Sequence, residues 1–287
     1  MNRFFPDNAS NWGFEIPGVS SHAPFCTLAL DDVPDRHMID TGLFIGRYRY
    51  EPIEDSGMLD LGGDGEVVNG YRRIDNITDD ALKKFRAAYG NKITKDDIFY
   101  YVYGLLHSPE YRKTYAADLK KMLPRIPLVT DAKPFINAGC KLAELHLGYE
   151  TVKPYPLHGM PTALVGDPYE FYRVEKMAFV KVREDGKLVA DKSTIKYNPK
   201  ITLSGIPADA YRYMLGSRSA IEWIIDRYQV KTDKASGITN DPNDWSKEVG
   251  NPHYILDLLA RIVTVSIETM KLVDALPPLS IHPEQSR

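Results

Sequence analysis

Two cysteines in 287 residues, Cys26 and Cys140, stand far apart and outside any Cys-x-x-Cys or Cys/His cluster. That scarcity excludes a disulfide framework and a cysteine-based zinc site, and leaves two thiols expected to be reduced, as in a cytoplasmic protein. No apolar run approaches the roughly 18 residues that cross a bilayer. The opening Met-Asn-Arg-Phe-Phe-Pro-Asp-Asn lacks the basic-then-apolar order of a signal peptide, so no membrane role is expected. An excess of positive charge is also missing. A net charge of −3 excludes a protein that coats nucleic acid nonspecifically, because that affinity comes from neutralising phosphates.

Catalytic patterns are equally sparse. The seven histidines form no His-x-x-x-His pair, and there is neither a Gly-x-Ser-x-Gly elbow nor a phosphate-binding glycine loop ending in Lys-Ser or Lys-Thr. Glu184-Asp185-Gly186-Lys187 has the composition of an Asp…Glu-x-Lys nuclease, which needs carboxylates and a lysine around a metal. Its spacing is wrong, and it reads as a hairpin turn. Neither a catalytic constellation nor a metal site is therefore expected.

What is present is ordinary globular material: 43% hydrophobic and 26% charged residues, enough for one large domain or two small ones. A chain this long buries most of its apolar surface without a staple. Charge is uneven, with 12 Lys/Arg against 7 Asp/Glu between Tyr71 and Ile126, a balance of +5 that leaves −8 elsewhere. Such a stretch can line a phosphate track or simply form solvated helix faces.

Residues up to Pro52 read as short strands between turn signals, followed by an acidic, glycine-rich loop from Glu54 to Gly70. Four helices follow. Thr78 and Thr94 cap the first two, the latter with Asp97 in a capping box; Ser108-Pro109 starts a third reaching about Met122; the fourth runs from Asp131 to Gly148. Prolines 154, 156, 161 and 168 mark a linker or long loop near residues 150–170, dividing the chain into 1–150 and 151–287. Val174 to Ala190 alternates around Asp185-Gly186 as a β-hairpin, and Ile195 to Leu203 adds a strand. Helices over Pro207–Leu215 and Ser217–Tyr228, a polar loop over Lys231–Gly250 and a final helix over Pro252–Leu276 complete the reading. The fold class is α+β: a small N-terminal sheet, a helical middle and a second antiparallel sheet with C-terminal helices.

Two motifs suggest methyl transfer. Met58 to Gly65, ending Gly62-Gly63-Asp64-Gly65, is like the glycine loop of enzymes that use S-adenosylmethionine. That loop needs a buried strand before it and a helix after it, and neither is convincing here, so a surface turn is the simpler reading. Asn251-Pro252-His253-Tyr254 is like the tetrapeptide with which amino-methyltransferases hold a flipped base. Here it opens a periodic helix, where Asn is a natural N-cap and Pro a natural first residue.

The remaining polar residues suit DNA. Alternation in Arg47-Tyr48-Arg49-Tyr50 puts both arginines on one strand face, and arginine bonds guanine O6 and N7 in pairs; an exposed strand with packed tyrosines explains the run equally well. Arg72 and Arg73 add cations that suit phosphate. Lys231, Lys234, Asn240 and Asn243 place phosphate- and adenine-type donors in the polar loop.

Longer blocks carry a resemblance. They include Pro34-Asp35-Arg36-His37, Arg47 to Glu51, Asn76-Ile77-Thr78-Asp79, Asp97 to Arg112, Leu123 to Pro127, Tyr197-Asn198, Ile201 to Pro207, Asp226 to Lys234, Asn240 to Trp245 and Tyr254 to Leu259. In this order, from about His22 to Leu276, the chain resembles the C-terminal specificity region of the bacterial Type ISP restriction-modification enzymes, single polypeptides that join nuclease, translocase, methyltransferase and target-recognition parts. The first 21 residues match weakly. The resemblance implies a non-catalytic module that recognises double-stranded DNA beside an adenine methyltransferase domain of the same or a companion polypeptide. It implies no cofactor in this chain: S-adenosylmethionine, ATP and Mg belong to the other domains.

The chemistry of the residues then assigns Arg47, Arg49, Asn240 and Asn243 to base edges, with Tyr50 beside them, and Arg72, Arg73, Lys231 and Lys234 to phosphates. A standalone S-adenosylmethionine-dependent DNA methyltransferase, and a structural docking domain that does not touch DNA, are the alternatives.

Overall fold

The computed structural model describes residues 3–283 except 8, 20, 36–37 and 54–64. The chain is α+β and divides into two compact units. One takes Met1–Leu147, Leu215–Ser217 and Leu272–Arg287; the other takes Gly148–Met214 and Arg218–Lys271. Among the described residues no helix is long and apolar enough to cross a membrane.

In the first unit, β1 (Gly13–Ile16), β2 (Leu28–Leu30) and β3 (Leu43–Gly46) make an antiparallel sheet in the order β2-β1-β3, with every residue of the central strand buried. A second sheet joins β4 (Tyr48–Pro52), β5 (Glu66–Val68) and β6 (Tyr71–Asp75) in the order β4-β6-β5. The loop expected over residues 54–70 is therefore a strand at its end. Residues 54–64 lie outside the described ones, but β5 turns into β6 through Asn69 and Gly70, whose φ of 50° and 80° suit a tight hairpin.

Helix α1 (Asp79–Tyr89) starts where the Thr78 side chain accepts the Ala81 N–H. Helix α2 (Lys95–His107) has the Thr94–Asp97 capping box bonded in both directions. The third expected helix is two, α3 (Pro109–Thr114) and α4 (Ala116–Leu119), separated at Tyr115. Helix α5 (Lys133–Leu147) crosses α2 at backbone contact: a Cβ on Gly104 would lie 2.2 Å from the Phe135 carbonyl oxygen, and one on Gly139 1.8 Å from that of Tyr100. Only glycine allows that approach. Around it pack Phe14, Phe99, Tyr101, Tyr103, Phe135 and Leu142. The proline-rich segment after α4 has few regular partners, and tyrosine hydroxyls bond its backbone instead: Tyr111 donates to the Arg125 carbonyl at 2.7 Å and Tyr101 to that of Pro127 at 2.6 Å.

In the second unit, α6 (Pro168–Tyr172) precedes an antiparallel sheet, β7 (Ala178–Glu184), β8 (Lys187–Lys196) and β9 (Thr202–Ser204), in the order β7-β8-β9. Asp185 and Gly186 make the hairpin turn with φ of 49° and 78°. Ile195 belongs to β8 and not to a strand running on to Leu203. The chain turns after Asn198, whose side-chain oxygen accepts the N–H groups of Lys200 and Ile201. The helix expected over Pro207–Leu215 is a 3-10 turn at Ala208–Arg212, followed by the short strands β10 (Met214–Leu215) and β11 (Arg218–Ser219). Helix α7 (Ala220–Arg227) opens on a Ser219–Glu222 capping box. The expected polar loop is a hairpin, β12 (Lys231–Thr232) and β13 (Thr239–Asn240), followed by α8 (Asn243–Glu248). The last helix, α9 (Tyr254–Asp274), belongs to this unit up to Lys271 and buries Leu258, Leu259 and Val263 against Val174, Ile195, Tyr197 and Leu203.

Candidate nucleic-acid interface

Five of the residues assigned to DNA lie in the first unit and four in the second. In the first unit they occupy the β4-β6-β5 sheet and its edge. Strand β4 begins at Tyr48, so Arg47 is not on it: it sits in the bend after β3 and points inward. Its side chain is only 4% exposed. The guanidinium is bidentate to Asp75 at 2.7 and 3.0 Å, bonds Asp96 at 2.7 Å through Nε and lies over the Tyr48 ring. One arginine thereby ties the end of β6 and the first turn of α2 to the start of β4, with three of its donors bonded to two carboxylates. The expectation that Arg47 and Arg49 share a strand face is corrected by this bend.

Tyr50 is also internal, 2% exposed, with its hydroxyl donated to the Ser10 carbonyl at 2.9 Å. The pairing register sorts the rest. Tyr50 faces Arg73 across β6, and Arg73 faces Glu66 across β5, so these share one side of the sheet; Arg73 ion-pairs with Glu66 and stacks on Tyr48. On the opposite side, Arg49 pairs with Ile74, and Glu51 and Val67 flank Arg72. Arg49 is half exposed, with Glu51 at 3.6 Å as a loose partner. Arg49 and Arg72 are thus the cations brought together on the outer face.

In the second unit, residues 231–240 are exposed throughout. Lys231 pairs with Asn240 and Thr232 with Thr239, and the two threonine hydroxyls bond at 2.9 Å. Asp233 shapes the turn by accepting from the N–H groups of Ala235 and Ser236 and from the Ser236 hydroxyl, bonds that hold its carboxyl below the usual range. Lys231, Lys234 and Asn240 are therefore displayed on an ordered hairpin. Asn243 is not: it is 6% exposed, its Oδ1 accepts the Val174 N–H at 2.9 Å, and its Nδ2 donates to the Val174 carbonyl at 2.8 Å and to Asp241 at 2.7 Å. No edge of that amide is left for a base.

Asn243 belongs to a brace that sequence reasoning missed. Arg173 bonds Asp241 at 2.7 Å and Glu175 at 2.7 Å, and the Val230 N–H donates to the Glu175 carbonyl at 2.9 Å. Burial acts to raise the Asp241 carboxyl, but the bonds from Asn243 and Arg173 outweigh it and leave the pKa lowered. The brace fixes both ends of the β12-β13 hairpin to the segment leading into β7.

The two methyltransferase-like motifs fare differently. Residues 58–64 of the glycine-rich motif lie outside the described ones. In the other, Asn251 accepts the His253 N–H at 3.1 Å, His253 bonds Asp257 at 2.6 Å, and Tyr254 is 8% exposed with its hydroxyl donated to Glu150. That is a helix start with an enclosed ring, not a ring presented for stacking. Among the described residues no group of three or more His, Cys, Asp or Glu side chains is placed to hold a metal. Both cysteines are free thiols.

The chain is similar over nearly all its length to parts of much longer proteins of solved structure, and spans about a quarter or less of each. A nuclease-deletion mutant of the Type ISP restriction-modification enzyme LlaGI, in complex with a DNA substrate mimic, is 39% identical at a TM-score of 0.73, over 98% of this chain and 19% of that one. The ATP-dependent Type ISP enzyme LlaBIII bound to DNA is 36% identical at 0.79, over 98% and 17%. The DrdV–DNA complex is 32% identical at 0.76, over 97% and 26%. The chain belongs to the family described as the Type ISP C-terminal specificity domain, whose model matches residues 2–258. No curated protein matches it.

Proposed function

We propose that the chain is the target-recognition module of a restriction-modification enzyme. It reads duplex DNA, makes and breaks no covalent bond itself, and positions the target for an adjacent adenine methyltransferase domain. One observation carries the reading: three structures similar to nearly the whole chain are of proteins solved with DNA or a DNA mimic. S-adenosylmethionine, ATP and Mg fall to other parts of such an enzyme. Of the residues assigned from sequence, Arg49 and Asn240 remain for base edges and Arg72, Lys231 and Lys234 for phosphates. Arg47, Tyr50 and Asn243 serve the fold, and Arg73 is engaged with Glu66 and Tyr48.

Fluorescence anisotropy with duplexes selected from a random pool tests the proposal. Sequence-dependent binding is expected. Asn240→Ala should cost about 1–3 kcal/mol and relax one position of the selected site, while Lys231→Ala should weaken all sequences alike and reduce the salt slope by about 1. Methylation of an oligonucleotide by the chain alone, or a clear calorimetric isotherm with S-adenosylmethionine, would overturn the non-catalytic assignment. Failure to bind any duplex would favour the docking role.

A further inference from the structure

The β7-β8 hairpin outruns the core of its unit. At its base Phe179 pairs with Ile195, which is fully buried, and packs on Tyr211; β9 pairs with Thr194, Ile195 and Lys196 alone. The register then shifts between Phe179 and Val180, so that Val180 opposes Asp191 and residues 192–194 bulge from the ladder. From there to the Asp185-Gly186 turn the hairpin is a two-stranded ribbon.

Alternation fixes what each side carries. Val180, Val182 and Val189 lie on one side and are half-buried. The other side is the continuation of the face that takes Phe179 and Ile195 into the core, and there Lys181 pairs with Ala190 and Arg183 with Leu188. All four of these residues are exposed, Leu188 to 64%. Neither cation makes an ion pair among the described residues. Exposed cations beside an uncovered leucine are more than the fold needs at that face, and uncovered apolar surface of this kind marks a place where something else docks.

Five residues from Val180 to the turn advance about 3.3 Å each, roughly 15 Å in all. The major groove of duplex DNA is about 12 Å wide and 8.5 Å deep and admits a two-stranded ribbon. Lys181 and Arg183 supply charge complementary to its phosphate walls and donors for guanine edges, while Glu184 and Asp185 at the tip can accept from cytosine amino groups. The brace made by Arg173, Asp241, Asn243 and Val174 roots this ribbon and the β12-β13 hairpin together.

We infer that the β7-β8 ribbon enters the major groove of the DNA target with its Lys181/Arg183 face on the bases, while the β12-β13 hairpin holds the flanking backbone. The inference rests on the DNA-reading function proposed above and adds an element to it. It is tested with the whole chain and a duplex selected from a random pool by that chain, using anisotropy and methylation interference at guanine N7. Lys181→Ala/Arg183→Ala should weaken binding about ten- to hundred-fold and lose the N7 interference seen with the unaltered chain, with an unchanged urea midpoint because both side chains are exposed. Arg183→Lys, which keeps charge but not the bidentate fork, should recover the salt slope without the interference. Unchanged affinity and interference in the double variant would overturn the ribbon assignment and leave the DNA-reading function standing. Weakened binding with no N7 interference from the unaltered chain would overturn the groove assignment. No binding by the unaltered chain would instead overturn the function on which the inference rests.

Discussion

The two units of this chain treat polar side chains in opposite ways. Among the described residues, the acidic, histidine and arginine residues buried as a whole lie in the first unit, Glu15, Arg47, His107 and His146, and the second unit buries only part of such a group, the Nε of Arg261. The buried polar residues of the second unit are neutral amides and hydroxyls, Asn198, Ser219, Asn243, Ser246, Ser266 and Thr269. Its two hairpins display charged side chains, while the half-buried Arg173 and Asp241 pair with each other. An interior charge ties stability to its partners and to pH, whereas a neutral amide braces the backbone at any pH. The first unit is built as a support whose arginine is structural; the second displays ionic groups on its hairpins and keeps Arg173 and Asp241 for its own brace.

Arginine truncation breaks the comparison most directly. Arg47→Ala removes the guanidinium shared by Asp75 and Asp96. Breaking a fully buried pair costs about 3–5 kcal/mol. Asp75 is 26% and Asp96 59% exposed, so water recovers part of that, and about 3 kcal/mol is expected by urea unfolding. Arg49→Ala, two residues away, should change stability by no more than about 0.5 kcal/mol. If the two variants unfold at the same urea concentration, the division between structural and displayed arginines is wrong.

How far this division was legible in the sequence depends on the length scale of the signal. Caps, turns and hairpins are local, and Thr94 with Asp97, Ser108-Pro109 and Asp185-Gly186 stand where their chemistry puts them. Burial of a particular cation is not local. Arg47 and Arg49 are alike in Arg-Tyr-Arg-Tyr, and only a one-residue bend after Gly46 and two acids, 28 and 49 residues away, separate them. Asn243 looked like a donor in a polar loop because its partners at Val174 are 69 residues earlier. The alternation that singled out Arg47 and Arg49 holds for Lys181 and Arg183, where the strand is unbroken. The period was readable there, but not that the core ends at Phe179.

A smaller effect sharpens the comparison through pH. In the first unit the Ala29 N–H donates to the Tyr103 hydroxyl at 2.9 Å, and that hydroxyl shares a hydrogen bond with His146 Nδ1 at 2.6 Å. His107 donates from Nδ1 to the Tyr103 carbonyl at 2.8 Å, and its buried Nε2 has no hydrogen-bond partner among the described residues. Burial keeps both rings neutral, taking His146 down to about 3 and His107, with Arg112 also near, well below its ordinary value. A neutral buried imidazole gains its proton only on unfolding, so the stability present above the ordinary value of about 6.5 is lost as pH falls below it, by about 1.4 kcal/mol per ring by pH 5.5.

Glu15 runs the other way. Burial, and then the nearby Asp35, push its carboxyl up to about 7, so the fold favours the protonated form and stability falls as pH rises from its unfolded range through 7. Between pH 7.5 and 5.5 the two gradients oppose, and the unaltered chain should change by only about 1 kcal/mol. Glu15→Gln removes one of them. Amide exchange in α2 should then show the variant more stable than its parent at pH 7.5 but losing about 2–3 kcal/mol by pH 5.5, the bare histidine gradient. Parallel profiles for parent and variant would mean that Glu15 is ionised in the fold, and the shallow profile would need a different origin. Hydrogen exchange in α7 of the second unit should show neither gradient, because no carboxyl or imidazole is buried there.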